Sequence, residues 1–252
     1  MLFVELSLEM QISGFLSFIH NLITILLSIL ILLKAIKLKK TSFYVLSLFM
    51  LFSAVGAYQI GLNYIYWIFT QNLFPYQTKV LIGTSVIGIA TIAWIYIYLD
   101  MIYPKLKIKI SIIYLIFVVV FYIYLFYFLY FAPNAPVQQM IGIDIFPYQV
   151  SYLAFVLVAF FTSLIITTIT TYHLAYRVMK NKDNPELQWK GRFLALGITI
   201  IMISVMLDVN VGGLIPMIIA IRILGIIAMI FIYLGFILPN WIRKILKVEL
   251  KR

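Results

Sequence analysis

Asp208 and Arg222 bound the stretch "DVNVGGLIPMIIAIR" (208–222), an acid and a base in an otherwise apolar part of the chain. A charge at mid-bilayer costs about 2.5–3.5 kcal/mol on insertion scales, so such residues are expected to pair or to face a watery cavity. Between them, Gly212-Gly213 and Pro216 predict a tight turn joining two helices, with Pro216 in the first turn of the second, where a missing N–H costs nothing. Counted from that turn at 1.5 Å per residue, the two charges differ in depth by about 6 Å, a gap an arginine stem can cover. Two readings stand. The pair is a staple that locks the hairpin, or it is the charged floor of a ligand pocket.

Other chemistry is scarce. The chain has no cysteine, which excludes disulfides, thiolate catalysis and Cys-ligated metals. Its two histidines, His20 and His173, lie on spans of the same direction at depths about 22 Å apart, too far to share a haem or a metal ion. No H-E-x-x-H, G-x-S-x-G or P-loop pattern occurs. The last span holds no lysine for a retinal Schiff base. The expectation is a protein that is not an enzyme, with no catalytic residue, no metal site and no cofactor. Ser17, Asn21, Thr24 and Ser28, spaced 4, 3 and 4, form one stripe on a helix, and "TSLIITTITT" (162–171) forms another. Both read as hydrogen-bonding contacts between helices.

The elements that must carry these residues are membrane spans. With 65% hydrophobic and only 11% charged residues, the chain is far from the composition of a water-soluble domain. Seven apolar runs are each long enough to cross a hydrocarbon layer about 30 Å thick: about 11–33, 42–69, 79–103, 110–131, 149–176, 191–211 and 216–238. Continuous apolar runs, not short alternating strands, predict an all-α bundle and exclude a barrel. No proline falls in mid-span, so the proline-assisted broken helix common in ion-coupled transporters is not expected. "DNPEL" (183–187) predicts a helix start with Asn184 as cap.

Orientation follows from charge. All Lys and Arg except Lys79 and Arg222 fall in four groups, at 34–40, 105–109, 177–192 and 243–252, which share one side of a seven-span threading. The positive-inside rule puts that side in the cytoplasm, with the N-terminus outside and the C-terminus inside, in the cell membrane. Short basic clusters between apolar runs also exclude nucleic acid as the partner behind the net charge of +11. "MLFVELSLEM" has no basic residue before the first run, so that span is expected to be retained. The aromatic run "FYIYLFYFLYF" (121–131) reads as an interfacial belt. The tail 239–252 reads as a basic amphipathic helix on the inner leaflet, with Arg243, Lys244 and Lys247 contacting lipid or a cytoplasmic partner.

On this threading His20, Asn21, Gln59, Asn63 and Ser204 gather with Asp208 and Arg222 in one outer slab, the candidate polar pocket. Asp100, at the opposite depth, is expected to pair with a cytoplasmic lysine.

Two stretches, "WIYIYLDMIYP" (94–104) and "IRILGIIAMIFIYLGFILPNWIRK" (221–244), together with the layout, resemble the N-terminal seven-transmembrane sensor region of histidine kinases. The second also resembles the ending of uncharacterised archaeal and other prokaryotic seven-helix membrane proteins. The likeness implies a sensor architecture. The chain ends at Arg252, where a kinase output domain would begin, so a stand-alone module is expected. The leading expectation is a receptor-like sensor, able to form homo-oligomers, that binds a small or lipidic ligand from outside and signals to a separate cytoplasmic partner. A small-solute or lipid transporter and a structural or assembly protein are the alternatives.

Overall fold

The computed structural model describes the backbone of residues 5–132, 140–146, 149–181, 183–210 and 215–248, and their side chains apart from 55, 56, 144–146, 149, 208–210, 215 and 218. The helices are α1 (Leu8–Leu38), α2 (Thr41–Phe52), α3 (Val55–Thr70), α4 (Tyr76–Ile102), α5 (Lys107–Phe126), α6 (Ala154–Met179), α7 (Pro185–Asn210), α8 (Ile215–Phe236) and α9 (Asn240–Ile245). A π turn over Tyr127–Phe131 continues α5, and strands β1 (Gly142–Phe146) and β2 (Gln149–Tyr152) precede α6. Local signals set several boundaries. Ser7 Oγ accepts the Met10 N–H at the start of α1, and Lys39 closes its end in a left-handed conformation. Asn184 Oδ1 accepts the Leu187 N–H at 3.2 Å, the cap that "DNPEL" predicts for α7.

Six helices are long and apolar enough to cross a membrane: α1, α4, α5 with its π turn, α6, α7 and α8. The expected second span is not one helix. It is the pair α2 and α3, bent by 58° at Ser53–Ala54. The weak points in "SAVGA" (53–57) are Ser53 and Gly56, one a competitor for backbone hydrogen bonds and the other a poor helix former, and Ser/Gly pairs are a recognised source of kinks. The fifth span also starts later than 149. Residues 149–152 pair instead with 142–146 as an antiparallel hairpin, so the fold is a helical bundle carrying one small two-stranded sheet. Ile141 and Val150 anchor that hairpin in an apolar cluster with Val80, Phe121, Leu125 and Val156. Phe121, within the aromatic run read as a belt, is therefore core, whereas Tyr127, Tyr130 and Phe131 are exposed.

Despite the bend, α2 and α3 follow α1 along its length in antiparallel register. Ser28 meets Ser47, Asn21 meets Ala57, Phe18 meets Gly61 and Gly14 meets Tyr64. Between the first two pairings, seven residues of α1 face ten of its partner, and the excess is taken up at the break. The helices close a ring in the order α1, α2/α3, α4, α6, α7, α8 and back to α1, with α5 outside against α4 and α6.

The interior of this ring changes character along its axis. One half is apolar, packed around Trp94 with Ile31, Phe49, Met50, Leu194 and Met229. That half adjoins the end where the basic segments meet. There Asp100 accepts from Ser42 and pairs with Lys107 at 2.6 Å, as expected of it, tying the start of α2 to the α4–α5 junction. The other half holds His20, Asn21, Gln59, Asn63, Lys79 and Arg222.

Candidate ligand site in the polar half

α1 supplies most of the polar side chains. Ser13, Ser17, His20, Asn21 and Thr24 are all buried, and they recur at the spacing that keeps one helical face turned to α3 and α8. Close backbone approach makes this possible. A methyl on Gly61 would fall 2.8 Å from the Phe18 nitrogen and 2.5 Å from Asn21 Nδ2, so only glycine lets α3 lie this near α1. Gly225 likewise leaves room on α8 for the His20 ring, which a methyl there would approach to 2.9 Å.

Some of the stripe does the interhelical bonding read from the sequence. Ser28 Oγ donates to the Ser47 carbonyl at 2.8 Å, and Ser47 Oγ donates back to that of Ser28 at 3.1 Å. Thr24 turns inward on its own helix and donates to the His20 carbonyl. Asn21 Nδ2 donates to the Ala57 carbonyl at 3.0 Å, which fixes α1 to the first turn of α3. Four polar atoms in this half are left over: Ser17 Oγ, His20 Nε2, Asn21 Oδ1 and Asn63 Nδ2 have no hydrogen-bond partner among the described residues. Their side chains are 0, 7, 2 and 0% exposed, so neither bulk water nor lipid reaches them freely.

The remaining candidates fall around this set. Asn63 Oδ1 accepts the Phe74 N–H at 2.8 Å and so holds the α3–α4 connection. Gln59 Oε1 accepts from Tyr152 Oη at 2.8 Å, joining α3 to β2 over Gly83, where a side chain would collide with both. Arg222 is buried, 7% exposed, on α8 and close enough to His20 for their charges to interact. Ser204 Oγ donates to the Ile221 carbonyl at 3.2 Å across α7 and α8. That contact sets Asp208, one turn further along α7, roughly one turn from the level of Arg222. The Asp208 side chain and the Gly212-Gly213 turn lie outside the described residues, and the proposed ion pair lies outside them too.

Sequence reasoning missed three features of this half. Lys79 is buried, 4% exposed, near the start of α4. Tyr152 belongs to the polar set through a strand that had been read as helix. The third is the break at Ser53–Ala54, where two side chains bond carbonyls at the end of α2. Ser53 Oγ donates to the Met50 carbonyl at 2.9 Å, and Tyr58 Oη donates to that of Leu51 at 2.5 Å. These bonds replace the helical ones the bend removes. A shallow surface groove of about 260 Å³ adjoins the break, between Ile25, Leu51, Tyr58, Leu62, Ile82 and Ser85.

At the basic end, Arg243 Nη2 is bonded to Glu186 at 2.8 Å, whereas Lys244 and Lys247 are exposed. Trp241 and Ile245, one turn apart on α9, are exposed as well. His173 is held by Tyr98 through Nδ1 at 2.7 Å, well removed from His20. Among the described residues no three His, Asp or Glu side chains come together to hold a metal ion. Chemically, the arrangement offers donors, acceptors and one guanidinium in an enclosed setting, which is the equipment of recognition. No family model matches the chain, and no curated protein or solved structure matches it either.

Proposed function

We propose that the chain is a seven-pass protein of the cell membrane, basic end in the cytoplasm, that recognises a small polar ligand in its opposite half and relays binding to a separate cytoplasmic partner. The seventh crossing is the α2–α3 pair, which keeps to α1 along its length. One observation carries the functional reading: four buried polar atoms of α1 and α3 without a hydrogen-bond partner among the described residues. An unsatisfied buried donor or acceptor costs about 1–3 kcal/mol, so a set of them favours an occupant that bonds to several at once. Relay is supported by α8, one unbroken helix that carries Arg222 at the polar end and Met229 and Ile232 in the apolar half. Four residues past its end, α9 begins, and Arg243 there bonds Glu186 of α7. A shift of α8 against α7 would therefore reach both ends of the bundle, provided the ligand binds the two arrangements unequally.

A second reading, small-solute transport, is favoured by the break in α2–α3. Discontinuous helices near mid-membrane place freed backbone groups beside substrate sites in many transporters.

Ser17 offers a clean test, because its hydroxyl serves no protein partner among the described residues. Protein extracted in mild detergent is examined by native mass spectrometry, wild type beside Ser17→Ala and His20→Leu. The expected result is a small polar compound at one per chain on the wild type, depleted on both variants while they keep their helical content. A wild type that carries only lipid and detergent, or equal occupancy in all three proteins, would contradict the reading.

A further inference from the structure

Two cations bond one carboxylate at the basic end, and a third lies nearby. Glu186 Oε1, in the first turn of α7, accepts from Lys190 Nζ at 2.7 Å and from Arg243 Nη2 at 2.8 Å. The three side chains are only 15–21% exposed. Lys34, near the end of α1, lies within electrostatic reach of all of them. Its ammonium sits over the Phe43 ring at 5.5 Å and makes no ion pair among the described residues. Among the described residues one negative charge thus lies with three positive ones, drawn from α1, α7 and α9, which leaves the cluster two charges in excess. Arg243 Nη1 reaches Asn240 Oδ1 at 3.5 Å, and its Nε is buried with no hydrogen-bond partner among the described residues.

From this we propose that the junction of α1, α7 and α9 is an anion site for a phosphate group, with Lys34, Lys190 and Arg243 supplying its positive charge. A guanidinium beside two ammonium groups, with one carboxylate among them, suits a phosphate monoanion in charge. An anionic lipid headgroup is the nearest source of that chemistry at a basic membrane face, and free phosphate is the other. Trp241 and Ile245, exposed on the adjoining α9, would lie along the acyl chains of such a lipid. The site would also pin α9 to α7 and α1, so occupancy would stiffen the end from which α8 emerges.

Lys34→Gln tests this without disturbing the bonds of Glu186. Lys37→Gln removes the same charge from the same helix at an exposed position and is the control. Thermal stabilisation of the purified protein is titrated with phosphatidylglycerol and with phosphatidylcholine in mixed micelles, and with inorganic phosphate alone. Phosphatidylglycerol is expected to stabilise the wild type and the Lys37 variant at similar concentrations, and Lys34→Gln at about fivefold higher ones. That factor corresponds to the ~1 kcal/mol a basic residue gains beside anionic lipid. Stabilisation by phosphate alone would identify a free anion as a sufficient ligand, and its absence would identify the lipid headgroup. Equal stabilisation by phosphatidylcholine, or equal weakening in the two lysine variants, would overturn the site.

Discussion

Asn21 ties one helix to another with its amide nitrogen and leaves its oxygen without a partner among the described residues, as its neighbour His20 leaves Nε2. Both residues were legible as candidates, because a strongly polar side chain in an apolar run has few reasons to be there. Their roles were not. A sequence places Ser17, Asn21, Thr24 and Ser28 on one stripe, but which of them bonds a neighbouring helix depends on the helix opposite. Ser28 finds Ser47, and Ser17 finds nothing among the described residues. Gly61 is the residue on which this geometry turns. In Gly61→Ala the new methyl would meet the Phe18 backbone, which cannot step aside as a side-chain tip can. We expect a loss of about 1–3 kcal/mol, read as a lower melting temperature in detergent, from forcing α1 and α3 apart. An unchanged melting temperature would mean that the two helices do not pack so closely.

At the scale of elements, six of the seven apolar runs are helices long and apolar enough to cross a membrane among the described residues, with ends displaced by a few residues. Two features escaped that argument. The hairpin of β1 and β2 was absorbed into a predicted span, since Val150 and Tyr152 look as apolar in a strand as in a helix. The break in α2–α3 was hidden by looking for proline as the cause, when "SAVGA" supplies the weakness and Ser53 and Tyr58 supply the replacement bonds. Tyr58→Phe leaves the Leu51 carbonyl without that hydroxyl and should cost about 1–2 kcal/mol. Amide exchange at residues 53–57 should accelerate in this variant and stay unchanged in the middle of α4. Acceleration spread evenly over both helices would show that the tyrosine supports the whole bundle instead of the break.

For the molecule as a whole, the division of labour runs along the bundle axis: an apolar plug around Trp94 next to the basic end, and a polar half beyond it. A site closed on one side is what a receptor requires, and a transporter would have to open the plug. Both readings depend on how often the chain crosses, and therefore on whether α2 and α3 together traverse the membrane or turn back within it. The absence of native cysteine makes this directly measurable. Single cysteines at Lys39, Asn72 and Lys105 would be probed in intact cells with a membrane-impermeant maleimide, then again after lysis. The account predicts labelling of position 72 in intact cells, and of 39 and 105 only after lysis. Positions 39 and 72 reacting alike, with 105 opposite to both, would make α2–α3 a re-entrant loop and contradict it.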